Sequence, residues 1–82
     1  MDAEKQIQSV ISILRELEED SVPRNVKEKI VITVSSLEED KEVSIRVNKA
    51  LHELEDIADD PNLQPYVRTQ IWNIVSVLEK IA

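Results

Sequence analysis

The 82-residue chain has no cysteine, no glycine and no phenylalanine, and it holds a single tryptophan, a single tyrosine and a single histidine. Without cysteine there can be no disulfide framework and no thiolate metal site, which excludes a stapled secreted scaffold and points to a reducing, cytoplasmic setting. Without glycine there is no material for phosphate-cradling loops or dinucleotide fingerprints, and with two aromatic residues no stacking platform for bases. No apolar run approaches the roughly 20 residues of a membrane span, and the start, MDAEKQIQSV, lacks the basic and apolar regions of a signal peptide. A soluble protein without a membrane partner is expected.

Positive charge is also scarce. Ten Lys and Arg stand against seventeen Asp and Glu, a formal net charge of -7, which repels polyphosphate at long range and disfavours nucleic acid as a partner. The one local cluster, Arg24, Lys27 and Lys29, is read as a solvated helix face.

What the chain does have is apolar residues at helical spacing, in four blocks. The Val and Ile content favours strands, but the period of 3.6 outweighs that weak bias. Ala3, Ile7, Val10, Leu14 and Leu17 alternate steps of four and three, with Ile11 beside them, and predict a first helix over about Asp2–Glu19, with Arg15 in reach of Glu18 or Glu19. Asp20-Ser21-Val22-Pro23 makes a corner, since proline disfavours a helical residue before it.

Val26, Ile30, Val34 and Leu37 form the stripe of a second helix from Val22 or Pro23 to about Glu38, with Ser21 a candidate cap and Val22 and Val26 a candidate staple. After a turn at Glu39-Asp40-Lys41, the residues Val43, Val47, Ala50, Leu54 and Ile57 predict a third helix over about Lys41–Asp59. Glu42 with Arg46 and Lys49 with Glu53 are spaced as pairs along its surface. The segment Asp59-Asp60-Pro61-Asn62-Leu63-Gln64 is the clearest break, with a short 3₁₀ turn expected from Pro61. Pro65 then opens a fourth helix with the densest apolar run, Ile71, Ile74, Val75, Leu78 and Ile81.

An internal repeat relates the blocks. Shifting the chain by 41 positions lays Val67, Ile71, Val75, Ser76, Leu78 and Glu79 on Val26, Ile30, Val34, Ser35, Leu37 and Glu38. A shift of 40 lays Val43, Val47, Ala50, Leu51, Leu54 and Ile57 on Ala3, Ile7, Val10, Ile11, Leu14 and Leu17. The expected fold is all-α: one domain, residues 1–82, forming an antiparallel up-and-down four-helix bundle of two similar αα-hairpins. Two such units are too few for a solenoid.

Asp60-Pro61-Asn62, Pro65 and Arg68-Thr69-Gln70-Ile71-Trp72-Asn73-Ile74-Val75-Ser76 resemble the uncharacterised protein family 0147, small archaeal proteins of about this length. The corner Asp20-Ser21-Val22-Pro23-Arg24-Asn25 and Gln6-Ile7 are similar to that family as well, so the likeness runs along the whole chain. The resemblance implies an all-helical up-and-down bundle and brings no activity, substrate, cofactor or catalytic residue.

Catalytic chemistry has little to build on. A carboxylate-bridged di-iron bundle needs Glu three residues before histidine on two helices, whereas Lys49 precedes the only histidine, His52. His52 with Glu55 and Asp56 is a weak metal-ligand spacing, and a surface histidine is the simpler reading. Ser35, Ser76, Thr33, Thr69 and Asn73 flank the stripes of the second and fourth helices with no histidine base near any serine in sequence, so nucleophilic catalysis is not indicated and no cofactor is expected. A second function class rests on the bundle topology, which brings Glu18, Glu19 and Asp20 to the same end as Asp59 and Asp60. Acids at helix C-termini oppose the macrodipole, and these five carboxylates form a candidate divalent-ion site, although Arg24, Lys27 and Arg68 lie close enough to neutralise them.

The stronger clue is an apolar surplus: Val31, Ile32, Trp72 and Val77, with Ile13 and Ile45 on the other pair of helices, exceed what one bundle seam buries. Gathered outside, they make a protein interface, with a homo-oligomer the first expectation; wide inward-facing stripes would leave no patch. The sequence therefore reads as a small interaction or assembly module in place of an enzyme.

Overall fold

A computed structural model describes residues 2–20 and 22–82. Among the described residues all regular structure is helical: α1 Ala3–Glu19, α2 Arg24–Glu38, α3 Val43–Ala58 and α4 Pro65–Ile81. The observed bounds fall inside the expected ones. Asp2 is the N-cap of α1, its Oδ1 accepting from the Glu4 N–H at 2.9 Å. Pro23, Glu42 and Gln64 stand before the other three helices in extended conformation without a side-chain cap bond. Pro23 therefore sits one position before the first turn. The candidate cap Ser21 lies outside the described residues.

The helices pack as a ring in chain order. α2 meets α3 most extensively, α3 meets α4, α1 meets α2, and the α1–α4 seam that closes the ring is the least extensive. Each neighbour runs opposite to the last: Lys29 near the start of α2 reaches Asp56 near the end of α3, and Arg68 at the start of α4 reaches Ala58 at that same end. The bundle measures 33 × 20 × 19 Å.

The core holds the predicted stripes. Ile7, Leu14, Val26, Ile30, Val47, Ala50, Leu54, Ile57, Ile71 and Leu78 are wholly buried, and the staple residue Val22 packs against that cluster. The repeat puts a polar residue at a core position. Shifting by 41 places Thr33 on Ile74, and Thr33 is fully buried as well, its hydroxyl donating to the Lys29 carbonyl one turn earlier at 2.8 Å. The break between α3 and α4 contains an i→i+3 turn, Leu63 N–H to Asp60 carbonyl at 3.2 Å, the one-turn form of the 3₁₀ turn expected from Pro61; Asp60 Oδ1 takes the Asn62 N–H and holds it.

Candidate functional site

Val31, Ile32, Trp72 and Val77 are all exposed, by 46%, 49%, 46% and 37%, and Ile13, Ile45 and Tyr66 join them. They do not form one patch. Val31 and Ile32 belong to α2 and Trp72 and Val77 to α4, helices that stand across a diagonal of the ring and are not neighbours in it. Ile32 turns toward α3, lining a shallow cleft of about 450 Å³ with Ser36, Asn48, Lys49, His52 and Glu53. Val31, one residue earlier, lies on the flank nearer α1, the same side as Glu38, which accepts from Arg15 at 3.0 Å.

The α1–α4 seam carries a second depression, about 300 Å³, lined by Ile13, Glu16, Leu17 and Asp20 of α1 and the corner after it and by Tyr66 and Gln70 of α4. Its rim has two carboxylates and no cation.

The acidic end is not assembled into one site. α1 and α3 are diagonal, and among the described residues no group of three or more His, Asp or Glu side chains takes a metal-holding arrangement. Glu18, Glu19 and Asp20 stay with α1, whereas Asp59 and Asp60 stay with the corner after α3. Asp60 is occupied structurally: besides the Asn62 N–H, its Oδ2 accepts from Asn25 Nδ2 at 2.8 Å, tying the start of α2 to the corner. Those bonds, Asn62 first and Asn25 second, hold its carboxyl below the usual aspartate range. Arg68 closes the same corner, donating from Nε to the Ala58 carbonyl at 3.1 Å and from Nη2 to the Asp60 carbonyl at 2.6 Å.

His52, Glu55 and Asp56 share a shallow depression on α3 with Glu53 and Asp59, but Asp56 is engaged by Lys29. The Asp56 hydrogen bond raises the Lys29 ammonium above its ordinary range. Of the flanking polar residues, Thr33 is buried, Ser35, Asn73 and Ser76 are exposed, and Thr69 returns its hydroxyl to the Pro65 carbonyl at 3.0 Å.

All three predicted surface pairs along helices have given way to partners outside the residue's own helix. Arg15 pairs with Glu38 in place of Glu18 or Glu19, Lys49 with Glu39 at 2.9 Å in place of Glu53, and Arg46 with Glu4 in place of Glu42. Lys49 and then Lys41, hydrogen-bonded to Glu39, draw that carboxyl below its usual range. Arg46 is the residue that spacing alone misses: its side chain is only 9% exposed, and its Nη1 donates to the Leu37 carbonyl at the end of α2 at 3.1 Å, while its Nε is buried without a partner. Its place among polar neighbours on the helix-three wheel suggests solvent. The only hint to the contrary is that its side chain lies beside the Val43–Val47–Ala50 stripe, where a long arginine can bury its stem.

Compared with known proteins, the chain matches the family model described as "Uncharacterised protein family (UPF0147)" over residues 1–81. It is 41% identical over 81 residues to a UPF0147 protein of Archaeoglobus fulgidus, spanning 98% of this chain and 93% of that one. A UPF0147 protein of Pyrococcus abyssi is 35% identical over 83 residues, covering 98% and 96%. The crystal structure of the unknown-function protein MMP1188 superposes with a TM-score of 0.88 at 39% identity, covering 94% of this chain and 90% of that one.

Proposed function

Since this chain belongs to the uncharacterised protein family UPF0147, whose name attaches no activity to it, we propose a function from its surface: a small helical interaction module that associates with copies of itself. The observation that carries this reading is the set of seven large apolar side chains, Ile13, Val31, Ile32, Ile45, Tyr66, Trp72 and Val77, left 37–62% exposed around a core that is already closed without them. An 82-residue domain has few apolar residues to spare from its core, and leaving seven outside favours a surface that is covered by protein. Their spread over all four helices fits assembly through more than one face. A binding role in place of an enzymatic one agrees with polar side chains that are spent on ties between helices. No helix among the described residues is long and apolar enough to cross a membrane, and the lack of cysteine suits a reducing compartment such as the cytoplasm.

Size-exclusion chromatography with light scattering tests the reading. The apparent mass is expected to rise above the 9.4 kDa of one chain as concentration increases. A single 9.4 kDa species up to high micromolar concentration would remove it.

A further inference from the structure

The outer face of α1 is bordered by two strips of opposite character. On the α2 side, Arg24, Lys27 and Val31 fall at steps of three and four, so they share one face of α2, basic near the corner and apolar below. On the α4 side, Asp20, Glu16 and Ile13 fall at steps of four and three toward the start of α1, acidic near the corner and apolar below, lining the depression with Tyr66. α1 and α2 run in opposite directions, so both strips descend from the same end of the bundle in the same order of charge, charge, apolar. Each spans seven residue steps, about 10.5 Å of helix. Among the described residues none of the four charged side chains is engaged in an ion pair, whereas Arg15, Lys29, Lys41, Arg46, Lys49 and Arg68 are all committed to partners within the chain.

We propose that these strips are the two halves of a self-complementary interface: a second copy, related by a twofold axis parallel to the helices, docks on the α1 face. A rotation about that axis lays the α2 side of one copy over the α4 side of the other with their corners at the same level. Arg24 then meets Asp20, Lys27 meets Glu16 and Val31 meets Ile13, and each contact is made twice. Tyr66, 62% exposed at the rim, supplies an aromatic face to the incoming cation. The acidic chain thereby gains a specific contact with itself, since matched strips offset the general repulsion of like-charged copies at close range. The proposal rests on the self-association reading and names the surface it uses.

Charge reversal tests it, with circular dichroism confirming that each variant keeps the helical content of the parent. Arg24→Glu with Lys27→Glu, and separately Glu16→Lys with Asp20→Lys, are expected to weaken dimerisation by about tenfold or more. An equimolar mixture of the two double variants is expected to restore a dimer, and raising the salt concentration to weaken the parent dimer. If the parent associates and both variants associate equally well, or if each variant dissociates and their mixture does not recover, this interface is wrong and self-association stands. A parent that stays monomeric defeats both readings.

Discussion

The guanidinium of Arg46 closes the open end of α2, its Nη1 donating to the Leu37 carbonyl at 3.1 Å from a side chain that α3 holds almost wholly out of solvent. One residue of the third helix thus satisfies a carbonyl of the second, while its Nη2 reaches Glu4 of the first. Three helix ends meet on that side chain.

Truncation there should be more damaging than its helix-surface spacing suggests. Arg46→Ala strands a buried carbonyl and leaves a void, and is expected to lower stability by about 2–4 kcal/mol in urea unfolding. Glu4→Gln, which changes the half-exposed member of that pair, should lose no more than about 1 kcal/mol. Equal losses would place the stabilisation in the ion pair and not in the carbonyl bond.

The Asp60 corner predicts an acid limb. Its carboxyl is held below the ordinary value of 3.8 in the folded state by Asn62 and Asn25. A depressed folded pKa stabilises the native state above the unfolded value, and that contribution fades as pH falls below 3.8 and through the lower folded value. Asp60→Asn should therefore narrow the stability difference between neutral and acidic solution, read from thermal midpoints across the acid range. An unchanged acid limb would mean that the bonds to Asn25 and Asn62 do not distinguish the two protonation states.

Lys29 predicts the opposite limb. Its ammonium is raised above 10.5, chiefly by the bond to Asp56, so its contribution is fully present below 10.5 and lost as pH climbs through the folded value. Lys29→Met should flatten the alkaline decline in stability. A decline as steep as the parent's would assign it to other groups.

The repeat predicts matched core losses. Ile30 and Ile71 overlie each other under the 41-residue shift and are both fully buried, so Ile30→Ala and Ile71→Ala should each destabilise by about 2–5 kcal/mol. Denaturant midpoints for the two variants are expected within about 1 kcal/mol of each other once converted. A large inequality would show that the two hairpins are packed differently despite their common pattern.

Trp72 reports on the proposed dimer. It is 46% exposed, and it stands about 200° around α4 from Gln70, which lines the α1–α4 seam, so it faces away from α1. Its fluorescence should stay open to an aqueous quencher at concentrations where light scattering records a dimer. Protection on association would move the interface to the α3–α4 side.

The periodic stripes make the four rods, their core faces and the two corners legible in the sequence, because burial of a helix face depends on residues three and four apart in the chain. Charge partners are not legible in the same way. Arg15, Arg46 and Lys49 each have an acid at suitable spacing on or capping their own helix, and each turns elsewhere, to Glu38, Glu4 and the α2 C-cap Glu39. A surface pair within a helix is worth only a few tenths of a kcal/mol, so an acid that tertiary packing brings within reach readily redirects it.

The same limit governs the candidate sites. Spacing puts Val31, Ile32, Trp72 and Val77 outside the stripes, and they are exposed; it has no means of showing that α2 and α4 are diagonal, which divides them between helices that are not neighbours. The carboxylates of α1 and of the corner after α3 share an end in topology, yet the width of the ring keeps them apart. The sequence alone determined which residues enter the core, since that is set by order along one helix. Only the packing of helix on helix decided what stands beside what on the surface, because neighbours there come from segments far apart in the chain.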